Sequence, residues 1–205
     1  MRIAIMGASG TGKTTLAKAL AERFSLPMAE EDFGEIVAVG HELSRLSAKP
    51  QNKAEVSDGI KKYAAACSRW LERRARFQKE NPAFVMDRCC FDLLTRWIKV
   101  CTQLQENDRL LKSLIRTCQQ QSSEIDLITV LPLHTRFNIP RENEEGLSRD
   151  QRMSRRISRQ ASIIGLTQQF SMAPILLMPS SEGSIDARVD KITTALQDIA
   201  KKSSQ

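Results

Sequence analysis

Residues 2–15, RIAIMGASGTGKTT, constrain this chain more than any other stretch. Arg2 to Met6 is a short apolar run suited to a buried strand. Gly7 to Thr14 then fits G-x-x-x-x-G-K-[ST], and a helical pattern begins at once with Leu16, Ala17, Leu20 and Phe24. Strand, glycine loop and helix in that order form the context in which the motif binds phosphate. Gly7, Gly10 and Gly12 admit backbone angles closed to other residues, so that N–H groups along Gly7, Ala8, Ser9, Gly10, Thr11, Gly12, Lys13, Thr14 and Thr15 can turn toward phosphate oxygens. The positive end of the helix dipole faces the same anion. Lys13, read as lying in a solvent-facing loop, reaches the β- and γ-phosphates, and the Thr14 hydroxyl can ligate Mg²⁺. The stretch predicts a nucleoside triphosphate site.

Further along, apolar runs and helical periodicities alternate. Leu26–Ala29 reads as a second strand, ending in Glu30, Glu31 and Asp32. Asp32 and Glu35 form a D-x-x-E capping box for a helix with Ile36, Val39, Leu43 and Leu46 on its apolar face. Residues 47–54 read as a loop. A long helix then carries Val56, Ile60, Tyr63, Cys67, Trp70 or Leu71, and Phe77, until Asn81-Pro82 stops it. Ala83–Met86 is a buried strand followed by Asp87-Arg88. Two more helical patterns follow, one through Leu94, Trp97, Ile98 and Cys101 and one through Leu110, Leu111, Leu114, Ile115 and Cys118. Asp126–Leu131 is the fourth strand, 132–147 a charged loop, and an arginine-rich helix starts near Ser148. Pro174–Met178 is the last strand. A helix follows Gly183, and the closing KKSSQ reads as a frayed end.

Strands alternating with helices predict an α/β fold, a parallel sheet covered on both faces in three layers. With 205 residues, the chain reads as one domain, 1–205. Ligands in such sheets lie beyond the carboxyl ends of the strands, so Gly7, Glu30, Asp87 and Leu131 are expected around one crevice. A net charge of +7 suits an anionic partner, which a nucleotide alone satisfies and DNA also would. At 5% aromatic residues, a broad base-stacking surface is not expected. Five cysteines without a CxxC pair read as reduced, mostly buried thiols. No apolar run approaches the roughly 20 residues of a membrane span, and the first strand leaves no room for a signal peptide. A cytoplasmic protein is expected; a homodimer is left open, since any helical face could pair.

The groups expected to do chemistry follow from these positions. A carboxylate ending a buried strand is costly unless paired or near a metal, so Asp87 is expected to ligate Mg²⁺ beside Thr14, or else to cap the next helix. Arg88 could hold an acceptor's phosphate or hydroxyl, or form a salt bridge. Glu30, Glu31 and Asp32 lie on the acceptor side, where Glu30 or Glu31 could take a hydroxyl proton. In SRDQRMSRRISRQ (148–160), five arginines face one acid, Asp150, across about 120° of helix surface. This lid, spanning about 132–160, would fold over the triphosphate, with Arg149 and Arg152 the expected contacts.

With GASGTGKTT, EED after the second strand, DR after the third and EEGLSRDQR (144–152) opening the arginine helix, the chain resembles the nucleoside and nucleotide kinase branch of P-loop proteins. Its resemblance is nearest to the ribosylnicotinamide-kinase-like ATPase group. That resemblance implies a 2-3-1-4-5 sheet, phosphoryl transfer from ATP, and Mg²⁺. It departs from the group where an arginine often follows the carboxylate: Phe33 and Gly34 stand here. Similar small kinases are encoded by bacterial viruses, including ones acting on hydroxymethyl-pyrimidine bases in DNA, for which the host cytoplasm would be the location. The acceptor is therefore expected to be nucleoside-like, either a free molecule or a modified base in DNA. A nucleotide-switch ATPase is the alternative, disfavoured because arginine follows Asp87 where hydrolytic ATPases typically carry glutamate.

Overall fold

The five apolar segments read as strands pair into one parallel sheet in the computed structural model, which describes residues 1–47, 53–104, 108–133 and 148–203. They are β1 (Arg2–Met6), β2 (Met28–Ala29), β3 (Phe84–Asp87), β4 (Leu127–Val130) and β5 (Ile175–Leu177), in the order β2-β3-β1-β4-β5. Every pairing is parallel, with Ile5 beside Asp87 and Met6 beside Val130. This register brings the ends of the three central strands level, at the edge where the glycine loop begins. The expected sheet order is the observed one.

Period-two alternation along β1 divides the core into two layers. Ile3 and Ile5 pack with Val85 and Leu127 against Leu16 and Leu20 of α1 (Lys13–Phe24) and Val189 and Ile192 of α7 (Ile185–Ser203). Ala4 and Met6 pack with Phe84, Met86 and Ile128 on the other face. That face is covered by α2 (Gly34–Ser47), α3 (Lys53–Glu80), α4 (Cys90–Leu104), α5 (Asp108–Ser123) and α6 (Arg149–Phe170). Phe33 stacks on Trp70 at 4.8 Å and Tyr63 on Trp97 at 5.7 Å, fixing α2 and α4 against α3. Cys67, Cys89, Cys90 and Cys118 are buried and form no disulfide, as expected of packing thiols. Burial pushes the Cys89 and Cys90 thiols well above their ordinary range.

Three expectations are corrected. The second strand is shorter than Leu26–Ala29, because the Leu26 N–H is used by the end of α1, donating to the Ala21 carbonyl at 2.9 Å. The Asp32–Glu35 capping box does not start α2. Phe33, buried against Trp70, sets the entry, and its carbonyl accepts the first helical bond from Val37 at 2.9 Å. Asp32 instead pairs with Arg73 at 2.9 Å and Glu35 with Arg69, both on α3. A capping box does form at the start of α6: the Ser148 hydroxyl accepts from the Gln151 N–H, and the Gln151 side chain accepts from the Ser148 N–H. Finally, α7 continues through Lys201 and Lys202, whose charges suit the carboxyl end of its dipole, so KKSSQ is not wholly frayed. Most of the expected loops, 48–52 and 134–147, lie outside the described residues.

Candidate active site

The glycine loop forms as its sequence predicts. Gly7, Gly10 and Gly12 take φ angles of 144°, 83° and 86°. At Gly7 a Cβ would lie 2.9 Å from the Thr11 hydroxyl and 3.1 Å from the Leu131 carbonyl, so neither backbone angle nor space admits another residue. The Thr11 hydroxyl closes the loop by donating to the Ala8 carbonyl at 3.0 Å. Lys13 is not solvent-facing: it is 5% exposed, and its ammonium donates to the same carbonyl at 2.9 Å. Burial, then the Arg88 charge, pull its pKa down to about 8. Ser9 is half-buried and Thr15 exposed at the loop's rim.

Thr14 and Asp87 meet as expected. The Thr14 hydroxyl donates to Asp87 Oδ2 at 2.5 Å, while Asp87 Oδ1 is buried with no hydrogen-bond partner. Burial raises the Asp87 pKa against the lowering effect of Thr14 and Lys13. A fully buried carboxylate with one idle oxygen, beside a hydroxyl and a phosphate loop, fits a hard cation that also takes phosphate ligands. Among the described residues no cluster of three or more His, Cys, Asp and Glu forms a metal cage.

Arg88, the next residue, has a φ of 75°, rare for a side chain of this size. Its N–H still donates to the Ile5 carbonyl at 2.9 Å, and its guanidinium is locked between two carboxylates. Nε lies 2.8 Å from Glu31 and Nη1 lies 2.7 Å from Asp92, which is fully buried. Burial would raise the Glu31 pKa, but the Arg88 charge and hydrogen bond outweigh it and hold the carboxyl below its usual range. The carboxylate of Glu31 therefore faces Arg88, whereas Glu30 is exposed and meets this site through its backbone carbonyl, which accepts from Arg74. Asp32 pairs with Arg73.

Residues missed by the sequence reading complete the site. Arg74 is 5% exposed, lies over the Trp70 ring at 4.8 Å, and donates to the carbonyls of Glu30 and Asp87, pinning the tips of β2 and β3 together. Its place between Trp70 and Phe77 on the apolar face of α3 was the available signal. Asp92, one helical turn beyond Arg88, was legible as an i,i+4 partner. Arg96 lies over the Phe33 ring at 4.8 Å, and Arg159 approaches Asp92 at 3.6 Å. From α6, Gln160 accepts the Ala8 N–H and donates to the Leu131 carbonyl, both at 2.8 Å. Arg156 is buried, with Nη1 3.8 Å from where a Cβ on Gly10 would lie. The arginine helix thus meets the loop through Arg156 and Gln160, while Arg149 is exposed and Arg152 half-buried. On the other flank, Arg188 of α7 donates to the carbonyls of Glu182 at 2.8 Å and Thr11 at 3.4 Å.

A phosphate loop opening a helix at the carboxyl edge of a 2-3-1-4-5 sheet places the chain among the P-loop proteins. A family model described as an AAA domain matches residues 2–188, and the chain belongs to that family. The fold is similar to that of deoxyadenosine kinase from M. mycoides, solved with bound dCTP. That structure is 16% identical with a TM-score of 0.62, covering 97% of this chain and 100% of that one. The same kinase with bound dATP is 17% identical at a TM-score of 0.59, covering 96% and 100%. The YorR protein from Bacillus subtilis, solved with phosphorylated GDP, is 11% identical at a TM-score of 0.55, covering 95% of each chain. No curated protein matches the chain significantly. Among the described residues no helix is long and apolar enough to cross a membrane.

Proposed function

We propose that the protein, acting as one domain, transfers the γ-phosphate of ATP to a nucleoside-like small molecule, in the manner of the ribosylnicotinamide-kinase-like branch. The observation that carries this reading is the adjacency of two pairs, Thr14–Asp87 on the nucleotide side and Arg88–Glu31 on the acceptor side. They are contributed by consecutive residues at the tip of β3, so donor and acceptor groups would meet there. Likeness in fold to proteins solved with dCTP, dATP and phosphorylated GDP supports a nucleotide-sized ligand. Asp87 is 0% and Arg88 1% exposed, an enclosed end that suits a free molecule better than a base still joined to duplex DNA.

Lys13 would leave the Ala8 carbonyl for the β- and γ-phosphates, and the loop amides would hold the remaining oxygens. Thr14 and Asp87 would hold Mg²⁺, which when bound neutralises charge on the phosphates. Glu31, kept ionised by Arg88, would orient the acceptor, and Arg156 and Arg159 would stand against the charge that develops on the moving phosphoryl group. Covering the loop with α6 excludes water as a competing acceptor.

The test is incubation with γ-labelled ATP and Mg²⁺ against nucleosides, nucleoside monophosphates, and duplex DNA with normal or hydroxymethylated bases. Label on a small molecule is expected. Label on DNA alone would overturn the small-molecule acceptor, and label only in free phosphate would restore the switch-ATPase reading.

A further inference from the structure

Resting on that phosphotransfer reading, we propose that the acceptor's reacting group is itself a phosphomonoester, as in a nucleoside monophosphate, so that the product is a phosphoanhydride. The motif residues do not distinguish this from transfer to a hydroxyl. The surroundings of Arg88 do.

Three guanidiniums gather at this end of the crevice, those of Arg88, Arg96 and Arg159. Arg88 and Arg159 converge on one oxygen, Asp92 Oδ1, at 2.7 and 3.6 Å, and Arg88 also holds Glu31. These contacts offset the charges of Glu31 and of Asp92, whose Oδ2 stays buried without a hydrogen-bond partner, and leave Arg96 as the third cation. It shares the face of Phe33 with Arg88, the two lying 4.8 and 5.5 Å from the ring centre, and among the described residues no carboxylate is within ion-pair distance of it. Buried N–H groups stay without acceptors: Nε of Arg96, and Nε and Nη2 of Arg159. Leaving guanidinium N–H groups buried and unmatched is unfavourable, and an anion with several oxygens is the ligand that matches them. Burial and mutual repulsion pull the Arg96 pKa down and that of Arg159 to about 10. Nearby Lys99 is lowered by burial and by Arg155, Arg159 and Arg96, which extends the positive field.

The location decides which part of the acceptor carries the charge. Arg88 directly follows Asp87, which holds Thr14, and Arg159 directly precedes Gln160, which holds the Ala8 amide. The cationic group therefore borders the triphosphate end and not a remote specificity pocket. A hydroxyl brings no charge there. A phosphate dianion approaching a γ-phosphate is repelled unless cations stand between them. Glu31 fits the same picture. Held below its usual range by Arg88, it is a weak proton acceptor, and a phosphomonoester, with its second pKa near 6, attacks at neutral pH without losing a proton. In the step, an acceptor phosphate oxygen bonds to the γ-phosphorus as the bond from that phosphorus to the β–γ bridging oxygen breaks. The bridging electron pair leaves on ADP.

The deciding experiment is ³¹P NMR of the product formed from ATP and Mg²⁺ with matched nucleosides and nucleoside monophosphates, together with steady-state kinetics of Arg96→Gln and Arg96→Lys. The expected product shows the paired phosphorus signals of a diphosphate. Arg96→Gln should raise KM for the monophosphate about 10- to 100-fold, the worth of a charge-assisted hydrogen bond, with Arg96→Lys recovering part of it and the melting temperature little changed. A phosphomonoester on a nucleoside or on a sugar or base hydroxyl of the monophosphate would overturn the inference while leaving the kinase reading intact. So would a product cleaved by hydroxylamine, the mark of a carboxylate acceptor. No transfer to any acceptor would overturn both.

Discussion

The side-chain amide of Gln160 accepts the N–H of Ala8 at 2.8 Å, so one of the amides that line the phosphate loop is matched by α6. The same side chain donates to Leu131 at the end of β4, and it is 8% exposed. Gln160→Ala leaves a buried donor and a buried acceptor unmatched, a loss of about 1–3 kcal/mol. Bound nucleotide supplies a phosphate oxygen to the loop and should shrink that loss. Thermal unfolding with and without Mg²⁺–ADP checks this; an equal drop in both conditions would remove Gln160 from the phosphate site.

Lys13 makes binding and stability respond to pH in opposite directions. Its pKa is about 8 in the fold against 10.5 as the ordinary value, because the ammonium is buried. Between those values the unfolded chain holds more protons than the native one, so this group's contribution to stability rises with pH across about 8 to 10.5. Below pH 8 the penalty is fully present, on the order of 3 kcal/mol from the width of the window. Phosphate, however, selects the charged form. ATP affinity should fall above about pH 8, and Lys13→Met should weaken binding while flattening both profiles. Calorimetric titration and urea unfolding across that range give the two slopes.

What was legible in the sequence was set by neighbours along the chain. Gly7 to Thr14 is such a case, since left-handed backbone and the helix start are local demands. So are the strands, whose apolar runs read the same in any packing. Pairings across the fold were less accessible. Asp32 looks like a helix cap until Phe33 docks on Trp70 and α3 offers Arg73. The arginine helix was recognised, but its rotation was not. Arg156 and Gln160, not the exposed Arg149, lie against the loop, because Ile163 and Thr167 on the same helix are buried and fix its phase. Arg74 was hidden for a related reason: a charge on an apolar helix face shows its purpose only once the carbonyls of Glu30 and Asp87 are beside it.

Arg88 tests how far an ion pair can hold a strained backbone. Its φ of 75° is unfavourable for arginine, yet the side chain is 2% exposed and bridges Glu31 and a fully buried Asp92. Arg88→Met relieves no backbone strain and leaves the buried Asp92 carboxylate with only the longer, 3.6 Å contact to Arg159, a cost of about 3–5 kcal/mol. Arg88→Met combined with Asp92→Leu should recover much of that stability but none of the activity. Urea unfolding of the single and double variants gives the coupling; additive losses would mean that the pair contributes nothing jointly.

Asp87→Asn should separate stability from function. Burial already raises the Asp87 pKa, so its carboxylate is held in the fold at a cost, which the neutral amide does not carry. The Thr14 hydroxyl still finds an oxygen at the position of Oδ2, and an amide replaces a carboxylate of nearly the same shape. The variant should melt at the same temperature as the parent or higher. The uncompensated Oδ1, by contrast, is the feature that a cation beside the phosphates would use. Transfer should drop by about 100-fold or more, on the scale of losing one electrostatic contact to the reacting phosphate. The half-saturating Mg²⁺ concentration should rise with it. If activity fell together with melting temperature, and Mg²⁺ dependence did not move, Asp87 would be a structural carboxylate that merely anchors Thr14.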